Sequence, residues 1–230
     1  MAQLVEITKV AVAPKHFTAR VRIANGGPLM TDEDLVGTTY VYRLLPEICD
    51  HTCLGDSGST FKDVMGSTEL AHLLEHVAIE LMARTNLAGD ITCGRTWEVT
   101  GEPRTYDVQL ACPDDVLVAS ALSSAAWILQ WAYSGGAEPE PDVDAIVSGI
   151  RELVQHAEQE AQRLEAAEAA ERDDADGQAA GEDAGEPEDP AESEGSAADE
   201  DEPHATNPDP AADAAASDEG GDNPTPHDVN

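Results

Sequence analysis

The composition of this chain changes near residue 170, and that break confines any folded core to the residues before it. Between Glu171 and Asn230 there are 21 Asp/Glu against a single basic residue, Arg172, with no aromatic and hardly any large aliphatic side chain. Such a segment cannot bury enough apolar surface to offset the entropy of ordering its backbone, so it is expected to be disordered. It carries −20 of the formal net charge of −35. The expected layout is a domain over 1–136, a linker and amphipathic helix over 137–170, and an acidic tail over 171–230. A domain of that size can hold one real core, and the tail reads as a solubilising or spacing segment.

Acidity also narrows the function classes. A nucleic-acid binder needs a basic face to neutralise phosphates, and an anionic membrane surface attracts basic segments, so neither partner is expected. The sequence shows no apolar run approaching the ~20 residues of a membrane span. Its start, MAQLVEITKV, alternates polar and apolar residues and lacks the pattern of a secretory signal. The expected location is cytoplasmic, which makes Cys49, Cys53, Cys93 and Cys112 thiols.

Periodicity places the elements. Residues 3–11 and 17–24 alternate as two strands joined near Pro14 and Lys15. Thr31, followed by three acidic residues, reads as the start of a helix running to about Leu45. A loop of small residues from Asp50 to Gly66 comes next. Ser67 reads as the N-cap of a helix over 68–85, in which Leu70, Leu74, Val77, Ala78 and Leu81 make one apolar stripe. Strands at 95–100 and 104–111 flank a turn at Gly101–Pro103, and Pro113 at the first helical position opens a helix that Gly135 and Gly136 end. The expected fold is α+β, a small sheet of about four strands with helices packed on it. A further helix from Pro141 to about Ala170 carries Ile146, Ile150, Leu153, Ala157 and Leu164 on one side. It is expected to dock on the domain or to fray in solvent, the alternative being contact with a partner, a homo-oligomer included.

One segment points to chemistry. His72-Leu73-Leu74-Glu75-His76 is an HxxEH on a helix, where residues four apart share a face, so both imidazoles can reach one ion. This is the inverted zincin arrangement, two His ligands with Glu75 as general base. Zinc suits it, because zinc lowers the pKa of a coordinated water to near 7 and keeps a position open in catalytic sites. His72 and His76 are expected to point away from the apolar stripe. A third protein ligand is needed, and the candidates are Cys53, Glu80 and His51, with Cys53 favoured because thiolate binds zinc strongly.

These residues form part of a longer ordered set: His51-Thr-Cys53-Leu-Gly55, Gly58-Ser-Thr-Phe61, Gly66-Ser-Thr68, HLLEHVAIEL over 72–81, Gly94-Arg95-Thr96 and Tyr106-Asp-Val. In this order and spacing the set resembles the N-terminal domain of cyanophycin synthetases, well over about 45–135 and in outline over the first 40 residues. Those enzymes join Asp and Arg into a branched polymer, using ATP-grasp and Mur-ligase-like domains downstream of the one matched. No Walker-type sequence occurs in the chain, and the stretch after Gly136 is short and polar, so an ATP-dependent synthetase is not expected. The resemblance implies a domain that holds polymer and that, in some members, looks like a zinc metallopeptidase trimming polymer into primers. It places His72, Glu75 and His76 on that site and Cys53 on the cysteine of the HxC stretch. Leu87-Ala88-Gly89 is kept. Gly-Ser-Thr at 58–60 and Leu54 depart from the pattern, in a loop expected to contact substrate.

Two functions compete. The first is a zinc-dependent hydrolase of peptide or isopeptide bonds, acting on an Asp/Arg-containing polymer or peptide, with Arg95 pairing a substrate carboxylate. The second is a non-catalytic polymer-binding or assembly module of the same fold. The 17 acidic and nine basic residues of 1–136 suit attraction of an arginine-bearing polymer to either.

Overall fold

A computed structural model of the chain describes residues 3–53, 59–89 and 94–179. The acidic segment expected to be disordered lies, from 180 on, outside the described residues, as do Leu54, Gly58 and Cys93. Four antiparallel strands, β1 (Val5–Ala13), β2 (His16–Ile23), β3 (Arg95–Glu98) and β4 (Thr105–Ala111), form one sheet in the order β1-β2-β4-β3. The helices are α1 (Leu35–Leu44), α2 (Phe61–Val64), α3 (Leu70–Thr85), α4 (Asp115–Tyr133) and α5 (Val143–Ala179). The α+β expectation holds.

Period-two alternation builds the core face of the sheet. Phe17, Ala19 and Val21 on β2 pair with Leu110, Val108 and Tyr106 on β4, and all six are buried. The opposite face is charged: Arg20 donates from Nε and Nη2 to the two oxygens of Asp107, each at 2.9 Å. In β1 the apolar spacing is irregular, Val5, Ile7, Val10 and Val12. A bulge between Ile7 and Lys9 shifts the register, so Val5 and Ile7 oppose Ile23 and Val21 while Val10 and Val12 oppose Ala19 and Phe17. The extra residue keeps all four on one face. At the hairpin end, though, Val10 and Val12 stay exposed.

α3 packs over β2, β4 and β3, α4 reaches β1, and α1 and α5 pack behind them. The helix starts differ from those expected. Thr31–Glu33 is a separate 3-10 turn, and α1 begins after Asp34, whose side chain accepts from Gly37 N–H. Ser67 does not cap α3; its hydroxyl donates to Asp32, and Leu70 N–H is satisfied by Leu29 C=O at 2.7 Å. A neighbouring segment supplies the acceptor that a local cap would have offered. For α4, the cap is Asp114, accepting from Leu117 N–H at 2.7 Å, with Pro113 just outside the helix.

α4, Asp115–Tyr133, lies within the bounds expected from Pro113 and Gly135. By length and composition its 19 residues would suffice to cross a membrane. It is the central core helix, burying Leu117, Val118, Leu122, Ile128 and Leu129 among α1, α3 and α5. α5 extends to Ala179, past the boundary expected near 170. Its docked seam is also turned from the expected one: Val143, Val147, Ile150 and Val154 are buried, whereas Leu153 and Leu164 are exposed. Arg151 fastens this seam by donating to the carbonyls of Arg84 and Thr85 at the end of α3.

Candidate metal centre

α3 is enclosed on nearly every side. From Leu70 to Met82 only His72 keeps partial exposure, and Glu75 and His76 are 2% and 1% exposed. The two histidines do face away from the leucine stripe, but that face is covered, not open. The cover is the stretch read from sequence as a loop. Pro46–Asp50 forms a 3-10 turn, and Thr52 bridges Thr60 in antiparallel fashion. Phe61 N–H donates to His51 C=O at 2.9 Å, and α2 begins at once. Phe61 is fully buried and lies on the imidazoles: its ring centroid is 4.0 Å from that of His76 at an interplanar angle of 31°, and 5.3 Å from that of His72, edge-on.

This closure brings Cys53 to the histidines. Its Sγ is 3.6 Å from His72 Nε2, which is 3.1 Å from His76 Nε2, and the ligand atoms of all three residues lie within 4.8 Å of one another. With Zn–N near 2.05 Å and Zn–S near 2.3 Å, tetrahedral coordination spaces two nitrogens about 3.3 Å apart and nitrogen from sulfur about 3.6 Å. The spacings fit.

The surrounding hydrogen bonds decide which ring nitrogens are free. Thr68, one turn before His72, donates its hydroxyl to Glu69 and accepts at 2.9 Å from His72 Nδ1–H. Glu80 Oε2 accepts from His51 Nε2–H at 2.9 Å, which leaves His51 Nδ1 to accept from His76 Nδ1–H at 3.3 Å. Both Nε2 lone pairs then point at the same spot. Two lone pairs and a thiol at such distances suit a cation, and partners of this kind orient metal-binding imidazoles. Electrostatics agree: burial, then the neighbouring His72 and His51, pull the His76 pKa down to about 2, and burial lowers that of His72 against an opposing Glu69. Neutral imidazole is the ligating form.

The other two candidates for third ligand are used elsewhere. Besides His51, Glu80 accepts from Arg84 Nε at 2.6 Å, and Arg84 also reaches Glu47 at 2.5 Å. Burial pushes the Glu80 pKa up, but the bonds from His51 and Arg84 outweigh it and hold the carboxyl below its usual value. His51 and Glu80 thus stand behind His76.

Glu75 is held at the start of β3. Oε1 accepts from Gly94 N–H at 3.1 Å and Oε2 from the Thr96 hydroxyl at 2.6 Å. Burial raises its pKa, partly offset by those two bonds. A Cβ at position 94 would lie 2.7 Å from Gln109 O and 3.0 Å from Glu75 Oε1, so glycine is required there. Arg95 is exposed. Strand alternation sends its side chain to the face opposite Thr96, and it makes no ion pair with Glu75 among the described residues. Thr68, Gly94, Thr96 and Phe61 all lie in the ordered motifs of the sequence, yet the motifs alone do not disclose their roles. Only Thr68, four residues before His72, carries a local signal.

The family model of the cyanophycin synthase-like N-terminal domain matches residues 35–132. Over that stretch the chain is similar to this family. The match runs from the start of α1 almost to the end of α4, so it takes in Cys53, His72, Glu75 and His76. The β1–β2 hairpin and α5 lie outside it. No curated protein matches the chain.

Proposed function

We propose that this protein is a zinc-dependent hydrolase of peptide or isopeptide bonds, acting on an Asp/Arg-containing polymer or peptide. The observation that carries this reading is the convergence of Cys53, His72 and His76, with both imidazole tautomers set by Thr68 and by His51–Glu80. Zinc held by these residues supplies Lewis acidity toward a carbonyl and an acidified water. Cys53, His72 and His76 hold it. Glu75, next to His76 and raised in pKa by burial, takes the proton of the attacking water and delivers it to the leaving amine. Phe61 and the Cys53 stretch keep bulk water from the imidazoles.

A second reading, a non-catalytic polymer-binding or assembly module, draws on the pinning of Glu75. With one oxygen on Gly94 and the other on Thr96, this carboxylate also ties α3 to β3. Glu75→Gln separates the two. Glutamine fits the same donors, its oxygen on Gly94 N–H and its amide on the reversible Thr96 hydroxyl. For the hydrolase, chelator-free purification yields one zinc per chain, Glu75→Gln keeps it, and cleavage of Asp/Arg peptides falls by about 10²–10⁴. His76→Ala loses metal and cleavage together. Equal cleavage by wild type and Glu75→Gln would sink the mechanism. Zinc without any cleavage by the wild type would leave the binding module.

A further inference from the structure

One sheet edge runs past this cluster. β3 is an outer strand, bonded to β4 on its inner side. The register pairs Arg95 with Gln109 and Trp97 with Asp107, and Val99 N–H donates to Thr105 C=O at 2.8 Å. In an antiparallel ladder, inward-bonding residues alternate with outward-facing ones. Arg95, Trp97 and Val99 therefore turn their main-chain groups toward β4, and Gly94, Thr96 and Glu98 turn theirs outward. Gly94 obeys this rule, since its N–H is taken by Glu75 Oε1. For the main chain of Thr96 and Glu98 there is no hydrogen-bond partner outside the ladder among the described residues.

We propose that the outer edge of β3 receives an extended stretch of peptide, which adds as a further strand and so passes its main chain beside Glu75. Where that peptide is cut rests on the hydrolase reading; the docking does not. Two observations favour a peptide over a second copy of the sheet. The edge offers two outward residues, Thr96 and Glu98, a strip suited to a few main-chain bonds and far smaller than a stable dimer interface. The same edge is also continuous with the candidate centre, because the residue before it holds the Glu75 carboxylate in a space too tight for any side chain at 94. Exposed Trp97 gives the incoming strand an apolar neighbour. Glu98 lies on this edge, and its exposed carboxylate favours a basic side chain on the peptide.

Hydrogen exchange of the full chain tests this directly. The probe is a capped hexapeptide alternating Asp and Arg, added to Glu75→Gln protein so that it is not consumed. The Thr96 and Glu98 amides should exchange freely without peptide and slow at least about tenfold with it, as a main-chain bond to each implies. The same peptide N-methylated at alternate residues should give no slowing. Glu98→Pro removes an outward donor and no ladder bond, a substitution edge strands tolerate, so it should weaken peptide binding at least about tenfold with zinc content unchanged. Amides already slow in the free protein would overturn the proposal, as would no binding of the hexapeptide. Binding that leaves Thr96 and Glu98 unaffected, or equal binding of the N-methylated peptide, would do the same. Slowing at both amides in a protein that holds no zinc would sustain the docking edge while removing the hydrolase reading.

Discussion

His72 reaches the cluster through Nε2 only because Thr68 holds the proton on Nδ1. Thr68→Val keeps the shape of that residue and its N–H, which is bonded to Thr31 Oγ1 at 3.0 Å, but removes the acceptor. Zinc affinity, measured by competition with a chromophoric chelator, should fall about 10–100-fold with little change in fold. Unchanged affinity would mean that the hydroxyl does not orient the ring. At this scale the sequence is readable where the relation is local. The four-residue spacing of His72 and His76 puts them on one helical face, and their proximity results from it. The third ligand stays one of three names because Cys53 comes to the helix through the Thr52–Thr60 bridge and the Phe61–His51 bond. No periodicity encodes such contacts. Arg95 shows the same limit: as the neighbour of Thr96 on a strand, it turns its side chain to the opposite face.

Among the elements, existence and type are legible and their starts are not. α1, α3 and α4 each begin two to four residues after the expected start, because the acceptor that caps each start is Asp34, Leu29 C=O or Asp114. α3 shows the larger difference. A one-sided stripe suggests an open face, but Phe61 and the 51–53 stretch cover it. The contact of α1 with α4 supports a pH prediction. Tyr133 lies against Gly37, where a Cβ would be 2.6 Å from its ring, and its hydroxyl is 2.7 Å from Thr38 Oγ1. Burial pushes its pKa up to about 12, against the bond from Thr38, so the folded chain keeps a proton that the unfolded chain releases near 10. That contribution is complete below about pH 10 and is lost as pH rises through about 12. Tyr133→Phe should therefore show a shallower alkaline loss of melting temperature than wild type. Parallel alkaline curves would remove Tyr133 as the cause.

For the molecule as a whole, α5 is the part whose weight composition hides. Glu and Ala dominate it, yet Val143, Val147, Ile150 and Val154 are at most 9% exposed, and Arg151 closes the end of α3. Burying four such side chains at about 1.5–3 kcal/mol each is comparable to the 5–15 kcal/mol that stabilises an ordinary domain. A chain ending near 136 should melt far below one ending near 160, or fail to fold, by circular dichroism. Equal melting would place the domain boundary near 136 after all. Arg84, whose carbonyl Arg151 caps, is also the residue holding Glu80 toward His51, so the shorter chain should lose zinc affinity as well. The extra residue in β1 bears on how this protein behaves in a tube. It keeps Val10 and Val12 on the core face of an outer strand, where they are 47% and 55% exposed. Bare valines on an unpaired rim make neighbouring molecules adhesive, and the net charge of −35 is what holds those molecules apart. That repulsion reaches about 10 Å in 0.1 M salt and about 3 Å in 1 M. Concentrated brine is thus the medium in which this chain should clump, and Val12→Lys should keep the solution clear.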